Sequence, residues 1–220
     1  MLTMDGIGVL FTLLCISSIT AIAVFIWFRL ARFPFTLVRF SVALLVGAAS
    51  CFPAILLQTI LISIPGFFPM AGRWGPVAEI FIRIALTEEL SRLLLLSVLF
   101  FILRRFNAPV MADATGLVAG LGFAILESAV IGASSPHNTL LRAFSTAPLH
   151  GACGFRVGTS IEMFRENPAR GILRFSSAVI IHGVYNFMLR IPGTVTSLAA
   201  VFIALSAFAT AIFAVRNENT

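Results

Sequence analysis

Seven runs of Leu, Ile, Val, Phe, Ala and Gly divide the chain, at roughly 6–28, 41–64, 76–103, 114–134, 139–162, 170–190 and 194–215. An α-helix needs about 20 mostly apolar residues to cross the hydrocarbon of a bilayer, so each run predicts one span. The first, second and seventh are almost purely apolar, whereas the third to sixth carry ionisable and amide side chains near their middles. Pro53 predicts a kink in the second, because proline lacks an N–H and its ring crowds the carbonyl four residues back. The break Ile64-Pro65-Gly66 and the run Phe67-Phe68-Pro69 predict a shallow interfacial loop before the third span. The fifth begins at the polar turn Pro136-His137-Asn138, which puts His137 at the outer surface without a role. Linkers are short and no internal repeat is visible. The expected fold is all-α: a polytopic membrane helical bundle of about seven transmembrane helices, forming one integral membrane domain over 1–220.

Composition agrees with this pattern. Of 220 residues, 59% are hydrophobic and 11% charged, against about a quarter charged in a soluble domain. The net charge is +6, and every cation is an Arg. Arg29, Arg32, Arg39, Arg104, Arg105, Arg165, Arg170, Arg174 and Arg216 fall on one side of the expected bundle; Arg73, Arg142 and Arg190 fall on the other. The positive-inside tendency then puts the N-terminus outside and the C-terminus in the cytoplasm. The basic balance therefore serves topology. The lipid bilayer is the expected partner and nucleic acid is not. The absence of Lys excludes retinal-type proteins, which need one for a Schiff base. Cys15, Cys51 and Cys153 lie far apart in apolar stretches and imply no disulfide framework. The start Met-Leu-Thr-Met-Asp lacks the basic region of a signal peptide, so the first run is expected to stay as a span. The expected location is the cell membrane (plasma or inner), multi-pass.

The polar residues inside the runs carry the chemistry. They are Glu88-Glu89 with Arg92, Glu127, His150, and His182 with Asn186. A helix rises 1.5 Å per residue, so from the expected cytoplasmic ends Glu88 lies ~22 Å in, Glu127 ~21 Å, His150 ~18 Å, His182 ~18 Å, Arg92 ~17 Å and Asn186 ~24 Å. In a hydrocarbon slab ~30 Å thick, all lie between the middle and the outer third. A charge at the bilayer centre costs about 3 kcal/mol even on the most lenient scale. Several at one depth predict a single buried polar site.

Residue spacing limits what each can do. Glu88 and Arg92 are four apart and Glu89 and Arg92 three apart, so either acid can pair with the guanidinium. Adjacent helical residues point ~100° apart, which leaves one acid outside that pair to act as a general base on water. Glu127 has no cation within a helical turn, so its partner must be another helix, a metal or a proton. Gly116 and Gly120 before it are spaced for close helix approach. Pro148, Gly151, Gly154 and Gly158 thin the helix around His150, and Arg156 is expected to neutralise Glu162 or Glu127. His182, Tyr185 and Asn186 share a face, supplying a ligand or base, a phenol donor and an amide suited to an oxyanion. Other hydrolase chemistries fail by absence. There is no Gly-x-Ser-x-Gly and no His-Glu-x-x-His, and the two aspartates, Asp5 and Asp113, sit at span ends. Carboxylates and imidazoles remain, a set that can bind zinc with an open water position or activate water without metal.

The pattern Glu88-Glu89-x-x-Arg92, Phe123-x-x-x-Glu127 preceded by Gly122, His150, and His182-Gly-x-Tyr185-Asn186 resembles the PrsW family of intramembrane proteases. The wider group includes the CAAX prenyl endopeptidases, with Glu-Glu-x-x-x-Arg, Phe-x-x-x-His and His-x-x-x-Asn/Asp. PrsW proteins usually have Lys where Arg92 stands and often Asp where Asn186 stands. Glu127, in place of the CAAX-type His, favours the PrsW branch. The resemblance covers roughly 79–190. It implies hydrolysis of a peptide bond in or beside the membrane, on a single-span protein such as an anti-sigma factor cut on its outer side.

The expected enzyme is thus an intramembrane endopeptidase with its catalytic core in about 76–190. With zinc, Glu127, His150 and His182 are the expected ligands and Glu88 or Glu89 the base. Without metal, Glu88 activates water, His182 assists and Asn186 steadies the oxyanion. Arg92 positions the acid pair in both. The alternatives are a proton-coupled transporter or channel using the same Glu and His residues as a relay, and a CAAX-type prenyl endopeptidase.

Overall fold

The computed structural model describes residues 4–64, 74–132 and 139–217. The expected interfacial loop and the His137 turn lie outside the described residues. Among those described, the secondary structure is helical throughout: α1 (Met4–Leu30), α2 (Leu37–Ala49), α3 (Cys51–Ser63), α4 (Gly75–Ala78), α5 (Thr87–Arg105), α6 (Ala112–Gly132), α7 (Thr139–Glu166), α8 (Pro168–Arg190) and α9 (Thr194–Asn217). A π-helical stretch, Glu79–Leu86, joins α4 to α5 without a break. Among the described residues, four stretches suffice by length and composition to cross a membrane: Leu37–Ser63, Ala112–Ala129, Pro168–Arg190 and Thr194–Asn217. Helix α5 carries Glu88, Glu89 and Arg92, and α7 carries Arg156 and Glu162, so neither matches the composition of a plain lipid-facing span.

Local sequence explains the helix ends. The second expected span divides into α2 and α3 at Ser50, whose hydroxyl bonds the Gly47 carbonyl at 2.6 Å. Pro53 cannot donate to the Ala49 carbonyl and crowds it, so the expected kink appears three residues upstream of the proline as a break. Asn167 caps α8 by accepting from the Arg170 N–H, with Pro168 in the first turn, where a missing N–H costs nothing. Asn107, at φ 53°, turns the chain left-handed just past α5. Several phenylalanines do not face lipid. Phe28, Phe33, Phe35 and Phe40 stack on one another where α1 turns into α2, with Phe28 and Phe33 centroids 4.7 Å apart.

Helix α6 is the centre of the bundle, buried around most of its circumference between α1, α2 and α7. Glycine makes this possible. A Cβ placed on Gly120 would lie 1.9 Å from the His150 carbonyl oxygen, and one on Gly154 2.2 Å from that of Gly116. Helices α6 and α7 therefore touch backbone to backbone, which fixes Glu127 relative to His150. On its other face, a Cβ on Gly47 would fall 1.8 Å from the Ala119 carbonyl oxygen, so α2 lies equally close. With no hydrophobic drive between helices in lipid, such small-residue seams hold a bundle by dispersion contacts.

Candidate active site

Three helices meet α6 at the polar residues. Arg92 and Glu89, both wholly buried on α5, form an ion pair three residues apart. The second guanidinium nitrogen of Arg92 lies 3.1 Å from His150 Nδ1 on α7, and the Phe123 ring stacks on the guanidinium 4.4 Å away. Glu89 Oε1 accepts from His182 Nδ1 on α8 at 2.7 Å. His150 Nε2 bonds Glu127 Oε2 on α6 at 2.7 Å. At the other end, His182 Nε2 stands 3.6 Å from Glu88 Oε2, and Glu88 Oε1 accepts from the Gln58 amide on α3 at 3.2 Å. The residues form one continuous chain: Glu127, His150, Arg92, Glu89, His182, Glu88, Gln58.

The partners fix the tautomers. A nitrogen hydrogen-bonded to an ionised carboxylate donates its proton to it, and one facing a guanidinium accepts. His182 is therefore protonated on Nδ1 and His150 on Nε2. Each histidine has a carboxylate behind it and turns a lone pair inward. This is the arrangement by which second-shell carboxylates orient metal-binding imidazoles. Between Glu88 and Glu89 the choice that the spacing left open falls on Glu89 as the partner of Arg92. With Arg92 on one oxygen and His182 on the other, Glu89 has no oxygen to spend on water. Glu88 does, since its Oε2 is buried without a hydrogen-bond partner.

The donors fit a divalent cation. One donor atom each from Glu88, His150 and His182 lies within 4.8 Å of the other two. The sequence expectation had Glu127 with the two histidines; the structure brings Glu88 into that trio and places Glu127 behind His150. With the three carboxylates ionised and both imidazoles neutral, Arg92 leaves two negative charges, which a divalent cation would balance. Mixed imidazole and carboxylate donors suit zinc.

Two cavities reach this chain. One, about 250 Å³, is mainly apolar and runs between α3 and α6, lined by Cys51, Phe52, Ala54, Ile55 and Leu126. The other, about 370 Å³, is polar and is lined by Arg83, Asn186 and Arg190. Gln58, Glu88 and Glu127 line both. Asn186 thus borders the polar cavity one turn beyond His182. Tyr185 turns the other way, its hydroxyl 2.6 Å from Ser145 on α7, and braces α8 against α7. Arg156 meets neither Glu162 nor Glu127: it donates to the Ala152 carbonyl at 2.9 Å and to Thr210, while Glu162 pairs with Arg104. Gln58 is the residue that the sequence reading missed. Its signal was a lone amide in the otherwise apolar run of α3.

The chain belongs to the family described as PrsW family intramembrane metalloprotease, whose model matches residues 34–214. No curated protein and no solved structure matches it. The matched region includes every helix that supplies the site. The protein is accordingly a multi-pass membrane peptidase, and its substrates are membrane-embedded proteins.

Proposed function

We propose that the protein hydrolyses a peptide bond of a single-span membrane protein at the junction of the two cavities, near the outer leaflet. The observation that carries this reading is the meeting of an apolar and a polar cavity at Glu88 and Glu127, with paired histidines behind them. Water enters by the polar cavity and the substrate by the apolar one. Glu88, His150 and His182 would hold a zinc ion. When bound, zinc polarises the scissile carbonyl and eases deprotonation of water. Glu89 and Glu127 keep the imidazoles in the tautomers that present their lone pairs. Glu127, at the junction and held by His150 at 2.7 Å, takes the proton of the attacking water and hands it to the leaving amide nitrogen as the C–N bond breaks. Asn186 donates its amide to the carbonyl oxygen as charge builds there. Arg92 holds Glu89 in place.

The same reading gives seven spans in one membrane domain over 1–220, with the catalytic part in about 76–190, the N-terminus outside and the C-terminus in the cytoplasm of a plasma or inner membrane. The Arg asymmetry supports that orientation. An anti-sigma factor is the substrate type to which the family resemblance points. The test uses purified protein in liposomes with a single-span substrate. Wild type is expected to cut, to carry stoichiometric zinc and to lose activity with a chelator. Glu88→Gln and His182→Ala, each short of one zinc ligand, are expected to lose at least ~10³-fold in kcat/KM, matching the several kcal/mol that a bound metal supplies to the transition state. Cleavage at the wild-type rate by both variants would refute the assignment.

A further inference from the structure

Resting on that reading, we propose that the apolar cavity is a side-chain subsite for one large hydrophobic residue, Leu- to Phe-sized, next to the scissile bond of the substrate. The cavity floor is Cys51, Ala54 and Phe123, all buried and packed together. Its rim carries Phe52 and Ile55, which are 69% and 54% exposed on the lipid-facing side of α3. A chain arriving from the bilayer meets these two residues first. The inner end closes on Gln58, Glu88 and Glu127, where the polar cavity begins. A side chain seated there leaves its own backbone at the carboxylates.

Size and chemistry select the occupant. A dry apolar cavity of about 150 Å³ takes one benzene ring, so 250 Å³ takes a single Leu, Met or Phe side chain with little to spare. It does not take a second helix. Apart from the three shared polar residues, the walls offer only apolar groups and the Cys51 thiol, which points at the Phe123 carbonyl. Against those walls a charged or amide side chain would lose its water, and the polar groups at the inner end are taken up by the substrate backbone. Alanine would leave most of the space empty.

The test compares cleavage in liposomes of single-span peptides that carry Ala, Leu, Phe, Trp or Gln at one position beside the scissile bond. Wild type is expected to prefer Leu and Phe over Ala by about 10-fold or more in kcat/KM, the range set by small differences in apolar fit. Ala54→Leu fills the floor and is expected to collapse that ratio toward one. Ile55→Trp narrows the rim from a position that faces lipid, so folding is not at stake, and is expected to lower the same ratio. Phe52→Ala opens the rim and moves the preference toward Trp. A preference for Leu and Phe that persists in all three variants overturns the subsite. So does a loss in the variants that falls equally on small and large residues. Cleavage by wild type with no preference sinks the subsite alone, whereas no cleavage of any peptide sinks the peptidase reading with it.

Discussion

The two walls of the site are built on opposite principles. Between α6 and α7, glycines bring the two backbones into contact. On the side of α3, α8 and the π-helical stretch before α5, two cavities open within reach of the same acids. The first wall sets distance: Glu127 and His150 can hardly move apart while Gly120 sits against the His150 carbonyl. The second wall sets access. The π-helical stretch belongs to it, ending at Leu86 just before Glu88. Such widened turns are often found at functional sites, and here it leads the chain from the polar cavity, where Ile80, Arg83 and Ile84 line the wall, to the acid pair. The lesson is that burial and reactivity are divided between neighbours. Glu89 has both oxygens engaged, by Arg92 and His182, and lines neither cavity, whereas Glu88, one residue earlier, lines both.

The largest expected effect lies at the closed wall. Removing one partner of a buried ion pair strands the other charge and costs about 3–5 kcal/mol. Arg92→Leu should therefore lower unfolding stability in detergent by that amount, and adding Glu89→Leu should recover part of it. A loss under about 1 kcal/mol for Arg92→Leu would mean that the guanidinium is hydrated after all and the wall is not closed. Next comes the glycine seam. Gly154→Val must push its β-carbon into the Gly116 carbonyl, and overpacking of this kind costs about 1–3 kcal/mol. Thermal melts of that variant should fall, and cleavage should fall with them, because Glu127 and His150 separate. An unchanged melt would show that α6 and α7 can part freely.

Much of this was legible beforehand, for reasons that particular residues make plain. The expected runs 170–190 and 194–215 match α8 and α9 to within two residues at each end, because Arg190 closes the first and Arg216 follows the second. The chain from Glu127 to Glu88 was foreseeable as a set, since charges at one depth must find each other in lipid. Its wiring was not. Spacings of three and four both satisfy Arg92, so only packing against His182 decides that Glu89 is the partner. Arg156 defeated the charge argument because a guanidinium can settle on the Ala152 carbonyl and a threonine. The π-helical stretch has no hydropathy signature, as its apolar residues would suit an ordinary helix equally well.

Gln58 sharpens the comparison from the open side, with the smallest expected effect on stability. It borders both cavities and is part-exposed, so Gln58→Ala should cost less than about 1 kcal/mol, the worth of one ordinary hydrogen bond. Its effect on rate should be larger. The amide holds Glu88 Oε1 at 3.2 Å and so turns Oε2 toward His182. Without it the carboxylate can rotate about its last bond, and the geometry needed in the transition state is populated only part of the time. A loss of about 10-fold in kcat with KM near wild type is expected, since misplacement of a reacting group acts on the chemical step. Gln58→Asn, one methylene shorter, should recover little, whereas Gln58→Glu should be worse than alanine because it sets a second negative charge beside Glu88. A fall in KM and kcat together with lowered stability would instead make Gln58 a packing residue of α3, and the open wall would then owe its acid's orientation to His182 alone.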